Sequence, residues 1–135
     1  MPSSIHHGSC LCGGVRYTVT GELGQFMACH CQRCRKGSGS AHGANLFAPG
    51  ASLAWDEGEA LVRSYRVPDT RHARSFCSTC GSALPLAVPG RFVVIPAGSL
   101  DTPVELAPRG HIFCADRAGW EDALATAPRF NGLPE

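Results

Sequence analysis

Cys10-Leu11-Cys12-Gly13-Gly14 runs directly into Val15-Arg16-Tyr17-Thr18-Val19-Thr20-Gly21, so two thiols one residue apart are followed by a turn and then by strict alternation. Val15, Tyr17 and Val19 fall on one face of a half-buried strand, because successive side chains of a strand point to opposite sides. A similar order recurs at Cys77-Ser78-Thr79-Cys80-Gly81-Ser82-Ala83-Leu84, where two thiols and a glycine precede an apolar stretch. Glycine after the last thiol tolerates the positive φ of a tight turn and frees backbone N–H groups to face sulfur.

A third cluster, Cys29-His30-Cys31-Gln32-Arg33-Cys34, packs three thiols into six residues. Seven of the eight cysteines therefore divide into four and three. Structural zinc takes four ligands in a closed tetrahedron, whereas catalytic zinc usually keeps three protein ligands and leaves a position for water or substrate. The count suggests a closed, structural zinc site on Cys10, Cys12, Cys77 and Cys80 and an open, catalytic one on Cys29, Cys31 and Cys34. The quartet would clamp segments far apart in sequence, and a metal of that kind stabilises a fold directly because the unfolded chain has no preformed site.

At 135 residues the chain suits one domain over 1–135, and 16 Gly with 10 Pro at 17% charge make it turn-rich rather than disordered. A net charge of +1 supplies no field to gather a polyanion, so small molecules are expected as partners and nucleic acid is not. The first nine residues have neither a basic start nor an apolar h-region. No stretch approaches the roughly 20 apolar residues of a membrane helix, and a cytoplasmic location is the expectation. A reducing cytosol leaves thiols free for metal, and cysteines one residue apart point badly for bridging each other, so metal ligation is preferred over disulfides.

Elsewhere, residues 53–55 and 61–65 flank Asp56-Glu57-Gly58-Glu59 and read as strand, turn, strand. Arg91-Phe92-Val93-Val94-Ile95-Pro96 reads as a buried strand. Helix is expected only near the C-terminus, over 116–126, where Trp120, Ala123, Leu124 and Ala127 recur at helical spacing. Gly37-Ser38-Gly39-Ser40 reads as a flexible loop or as a place where a ligand approaches the backbone. Cys114, within Ile112-Phe113-Cys114-Ala115, reads as a small buried apolar residue. The fold class is mainly β, with antiparallel sheets around zinc knuckles and a short C-terminal helix or helical turns.

Three thiolates on one Zn²⁺ leave a net negative complex and a weak Lewis acid. Such a site activates water poorly but suits a soft thiol held as thiolate near neutral pH. Its fourth position is open to water, a substrate sulfur, or a histidine among His30, His42 and His111. A histidine there would make the trio a second structural site. Arg33, Arg35 and Lys36 either balance the charge or receive a substrate's carboxylates.

These segments together resemble the glutathione-dependent formaldehyde-activating enzyme (GFA) family, which includes the centromere protein V-like domains. Gly8-Ser9-Cys10-Leu11-Cys12-Gly13-Gly14-Val15-Arg16-Tyr17 is similar to its opening motif, Cys29-His30-Cys31 with Cys34-Arg35-Lys36 to its second, and Arg74-Ser75-Phe76-Cys77-Ser78-Thr79-Cys80-Gly81 to its third. Ala97-Gly98-Ser99-Leu100-Asp101 and His111-Ile112-Phe113 with Trp120 extend the resemblance towards the C-terminus. It implies a mostly antiparallel β fold with structural zinc on Cys10, Cys12, Cys77 and Cys80 and catalytic zinc on Cys29, Cys31 and Cys34. It also implies a carbon–sulfur lyase run in reverse, joining glutathione to formaldehyde as S-(hydroxymethyl)glutathione. His42 or His111 would serve as a base, or His111 as a structural hydrogen-bonding residue.

Two other functions fit parts of the sequence. A non-catalytic zinc-stabilised binding module would need a basic aromatic surface, for which Arg33, Arg35, Lys36, Arg71 and Arg74 are the candidates. A thiol oxidoreductase related by fold to methionine sulfoxide reductase B would use Cys114 as its redox thiol.

Overall fold

The computed structural model describes residues 4–134. β1 (Ile5–Ser9), β2 (Arg16–Thr20) and β5 (Ser52–Glu57) form an antiparallel sheet in the order β1-β2-β5. A larger sheet has the order β11-β3-β4-β10-β9, from β3 (Gln25–Cys29), β4 (Gly43–Pro49), β9 (Leu86–Val88), β10 (Phe92–Pro96) and β11 (Gly110–Ile112). β6 (Val62–Arg66), β7 (Ala73–Cys77) and β8 (Ala83–Leu84) make the third. Every pairing is antiparallel except β11 with β3. The chain is mainly β, as the alternation of residues 15–19 requires.

That alternation sets the core. Val15, Tyr17 and Val19 are wholly buried and pack in one cluster with Leu46 and Ala48 of β4 and Val93 and Ile95 of β10. The first two sheets thus share one apolar interior. The intervening residues of β4 and β10, Asn45, Phe47, Phe92 and Val94, face the other way and line a groove. This is why residues 91–96 read as a continuous apolar run: both faces of β10 are covered, one by the core and one by the groove wall.

The structure refines or corrects several expectations. Residues 53–55 lie in one strand and 62–65 in another, as read, but the two do not pair with each other. β5 pairs with β2, while a 3₁₀ turn at Glu59–Leu61 sends β6 to β7 in another sheet. Gly58 opens that turn at φ 76°, packed so closely on the Gly14 carbonyl that a side chain would collide with it. Strand pattern and turn residues show that two strands exist but not which partner each chooses.

Near the C-terminus the structure has helical turns rather than a short α-helix, 3₁₀ at Cys114–Asp116 and Glu121–Thr126. Trp120 and Leu124 are exposed there, so the apolar stripe finds no core to hold a longer helix. The one α-helix among the described residues, α1 (Gln32–Ser38), lies elsewhere and takes in Gly37 and Ser38, the first half of the stretch that reads as a loop. Cys31 caps its start, with Sγ accepting the Cys34 N–H at 3.4 Å, and Gly39 ends it at φ 66° by donating to the Arg35 carbonyl at 2.8 Å. Cys114 is exposed rather than buried, because Phe113 before it takes a left-handed φ of 56° and turns the chain outward. Among the described residues no helix is long and apolar enough to cross a membrane.

Candidate functional site

The two knuckles meet because the turn before β2 and the turn after β7 lie at the same end of the core. In the first, Gly13 donates to the Cys10 carbonyl at 3.0 Å and Val15 N–H points at Cys10 Sγ at 3.2 Å. In the second, Gly81 donates to the Cys77 carbonyl at 2.8 Å and Thr79 N–H points at Cys77 Sγ at 3.4 Å. The Leu11 N–H crosses between them to Ser82 Oγ at 2.9 Å.

The four sulfurs of Cys10, Cys12, Cys77 and Cys80 lie within 4.8 Å of one another. Cys12 Sγ is 3.5 Å from Cys10 Sγ and 3.9 Å from Cys77 Sγ. A tetrahedral zinc with sulfurs at about 2.3 Å sets them about 3.8 Å apart, so the donor set fits zinc. Contacts with the Ser82 side chain and then its backbone N–H lower the Cys80 pKa to about 5, favouring the thiolate that metal requires.

Cys29, Cys31 and Cys34 also group within 4.8 Å, and no histidine nitrogen joins the set among the described residues. Cys29 ends β3, Cys31 is the helix cap and Cys34 lies in the first turn of α1. Gly43 of β4 lets that turn approach, since a Cβ there would stand 3.3 Å from Cys34 Cβ. Burial first, then the neighbouring Cys29 and Cys31, raises the Cys34 thiol well above its ordinary value. Burial also raises Cys31, but the Cys34 N–H and the adjacent thiols outweigh it and hold Cys31 low. Three soft donors so close together share protons poorly, and a cation relieves the conflict.

All three cysteines line the groove of about 1200 Å³ whose floor is Phe47, Phe92 and Val94. Phe47 and Phe92 meet edge to face at 5.5 Å. Of the basic residues flanking the trio in sequence, Arg33 lines the groove and Arg35 and Lys36 do not.

The histidines form a separate group. His30 is 1% exposed; its Nε2 lies 2.8 Å from His111 Nδ1, and its Nδ1 is 3.7 Å from Glu121 Oε1. Burial lowers its pKa, and its backbone N–H donates to the Ile112 carbonyl at 2.9 Å, pinning β11 beside β3. Neither His42 nor His111 lines the groove. Glu121 was not singled out in the sequence; only the 3₁₀ turn that carries it brings it to His30.

Residues 5–116 match the family model described as glutathione-dependent formaldehyde-activating enzyme, a span that contains all seven clustered cysteines. The chain belongs to this family. A crystal structure of a Rhodobacter sphaeroides protein shares the fold with a TM-score of 0.58 at 22% identity, covering 78% of this chain and 98% of that one. No curated protein matches the chain. In this member of the GFA family the described geometry offers two cysteine clusters able to hold zinc, one of them facing a groove.

Proposed function

We propose that the chain is a zinc-dependent carbon–sulfur lyase of the S-(hydroxymethyl)glutathione synthase type, acting at Cys29, Cys31 and Cys34. Cys10, Cys12, Cys77 and Cys80 hold a structural zinc in this reading. The observation that carries it is the grouping of three sulfurs without a fourth protein ligand on the wall of a groove large enough for a peptide-sized thiol. A zinc ion on this trio supplies a soft, weakly Lewis-acidic position that keeps a substrate thiol ionised near neutral pH.

The chain's own residues do the rest. The apolar floor at Phe47 and Phe92 and the Arg33 guanidinium hold the body of the thiol, leaving its sulfur beside the trio. In the reaction the sulfur lone pair forms a bond to the formaldehyde carbon and the C=O π pair moves to oxygen. Oxygen takes a proton in place of the one lost from sulfur, so thiol and aldehyde sum to the hemithioacetal with no redox change. Because His42 and His111 stand away from the groove, that proton exchanges with solvent.

The test is zinc analysis combined with exchange spectroscopy on glutathione and formaldehyde. Two zinc ions per chain and catalysed exchange are expected. Cys29→Ser and Cys34→Ser should fall to the uncatalysed rate while keeping the far-UV circular dichroism of the parent. Full exchange activity in either variant would overturn the proposal.

A further inference from the structure

The groove carries a charge that the chain as a whole does not. Arg33, Arg66, Arg71, Arg74 and Arg91 line it against a single carboxylate, Asp116. The ion pairs among the described residues engage Arg16, His30 and Arg117 and none of these five. Five guanidiniums around one groove repel one another and direct a positive field into it, four of them, Arg33, Arg66, Arg71 and Arg91, from exposed positions. Arg74 and Arg91 lie over the Phe76 and Phe92 rings at 5.3 and 5.5 Å, while among the described residues no carboxylate pairs with any of the five in a chain whose net charge is only +1.

Their placement is ordered. Arg33 sits on α1, and Arg74 of β7 crosses the same helix, with its Cδ and Nε 3.3 Å from where a Gly37 Cβ would stand. Arg66 and Arg71 continue this rim along the β6–β7 connection, and Arg91 stands across the groove at the β9–β10 turn. Between the rims the floor is apolar and aromatic. Cys29 pairs with Gly43 and Phe92 with Pro49, at opposite ends of β4. At about 3.3 Å per residue those ends are roughly 20 Å apart.

A tripeptide thiol offers two carboxylates and one ammonium, and three extended residues reach about 10 Å. It would leave most of the arginines unanswered and half of the floor bare. We infer that the thiol this groove prefers over a tripeptide is a phosphate-bearing one: a sulfhydryl on a long uncharged arm, with phosphate groups held by the arginine rims. Guanidinium is the side chain best matched to phosphate oxygens, and its forked donors bind them in pairs. The inference rests on the proposed thiol chemistry at Cys29, Cys31 and Cys34 and specifies which thiol reaches it.

The experiment is calorimetric binding of coenzyme A, glutathione and inorganic pyrophosphate to the zinc-loaded protein. Coenzyme A should bind at least about tenfold more tightly than glutathione, the margin expected of one additional charge-assisted contact. Arg71→Gln and Arg91→Gln, both at exposed positions, should each reduce coenzyme A affinity about tenfold while changing glutathione affinity much less. Pyrophosphate should compete with coenzyme A and not with glutathione. Glutathione binding as tightly as coenzyme A overturns the inference and leaves the proposed reaction standing. Binding of pyrophosphate but of neither thiol removes the thiol reading itself, and an affinity for coenzyme A indifferent to both arginine changes removes the role of the rims.

Discussion

Tyr17 shows how much one position carries. Its ring is wholly buried and lies over Gly8, its partner across β1 and β2, where any side chain would intrude on the ring. Its hydroxyl is 2.6 Å from Ser99 Oγ, which itself donates to the Pro96 carbonyl at 2.7 Å, so Tyr17 is the donor in the pair. Burial pushes its pKa up to about 12, with the Ser99 contact opposing and Asp101 adding to the rise. A raised acid binds its proton more tightly when folded, so its contribution is complete below pH 10 and is lost as the pH climbs towards 12. Stability should therefore fall by roughly 2–3 kcal/mol across that window, and Tyr17→Phe should flatten this part of the profile. Urea titrations at stepped pH provide the check; an equal slope in Tyr17→Phe would show that other groups cause the loss. Alternation in the sequence was enough to turn Tyr17 inward. Its meeting with Gly8 depends on the β1–β2 register and was not legible.

At the scale of elements the knuckles and α1 behave differently. The knuckles announce themselves because cysteine, glycine and turn geometry are all local. The helix does not, because its stop at Gly39 relies on a single left-handed residue and its start on a cysteine acting as cap, a role serine or aspartate usually fills. The two clusters should also differ in their structural weight. Cys77 is fully buried, ends β7 and belongs to the apolar core, whereas Cys31 and Cys34 sit on a helix with no buried residue. Cys77→Ser is expected to lower the melting temperature by more than 10 °C or abolish folding, and Cys31→Ser to shift it by only a few degrees, as scanning calorimetry would show. Equal losses would mean that the two cysteine sets share one structural task.

Across the whole molecule, the quartet ties the turn before β2 to the end of β7 and so joins the first sheet to the third. Cys10 and Cys77 of the quartet also belong to the apolar interior shared by β2, β4 and β10, so losing this metal disturbs the core. Titration with a strong chelator should accordingly release zinc in two phases, the first silent in near-UV circular dichroism and the second accompanied by loss of tertiary signal. A single phase with unfolding throughout would contradict separate sites. The sequence by itself determined the strand character of residues 15–19 and 91–96, the two turns that carry Cys10, Cys12, Cys77 and Cys80, and the compact run of Cys29, Cys31 and Cys34. Each of these depends on spacing within a few residues. Only the tertiary structure decided that β5 and β6 part company, that His30 turns to His111 and Glu121, and that five arginines from α1, β6, β7 and two turns face one groove. Net charge adds residues without regard to place, and long-range pairing alone brings those charges to one side of a sheet.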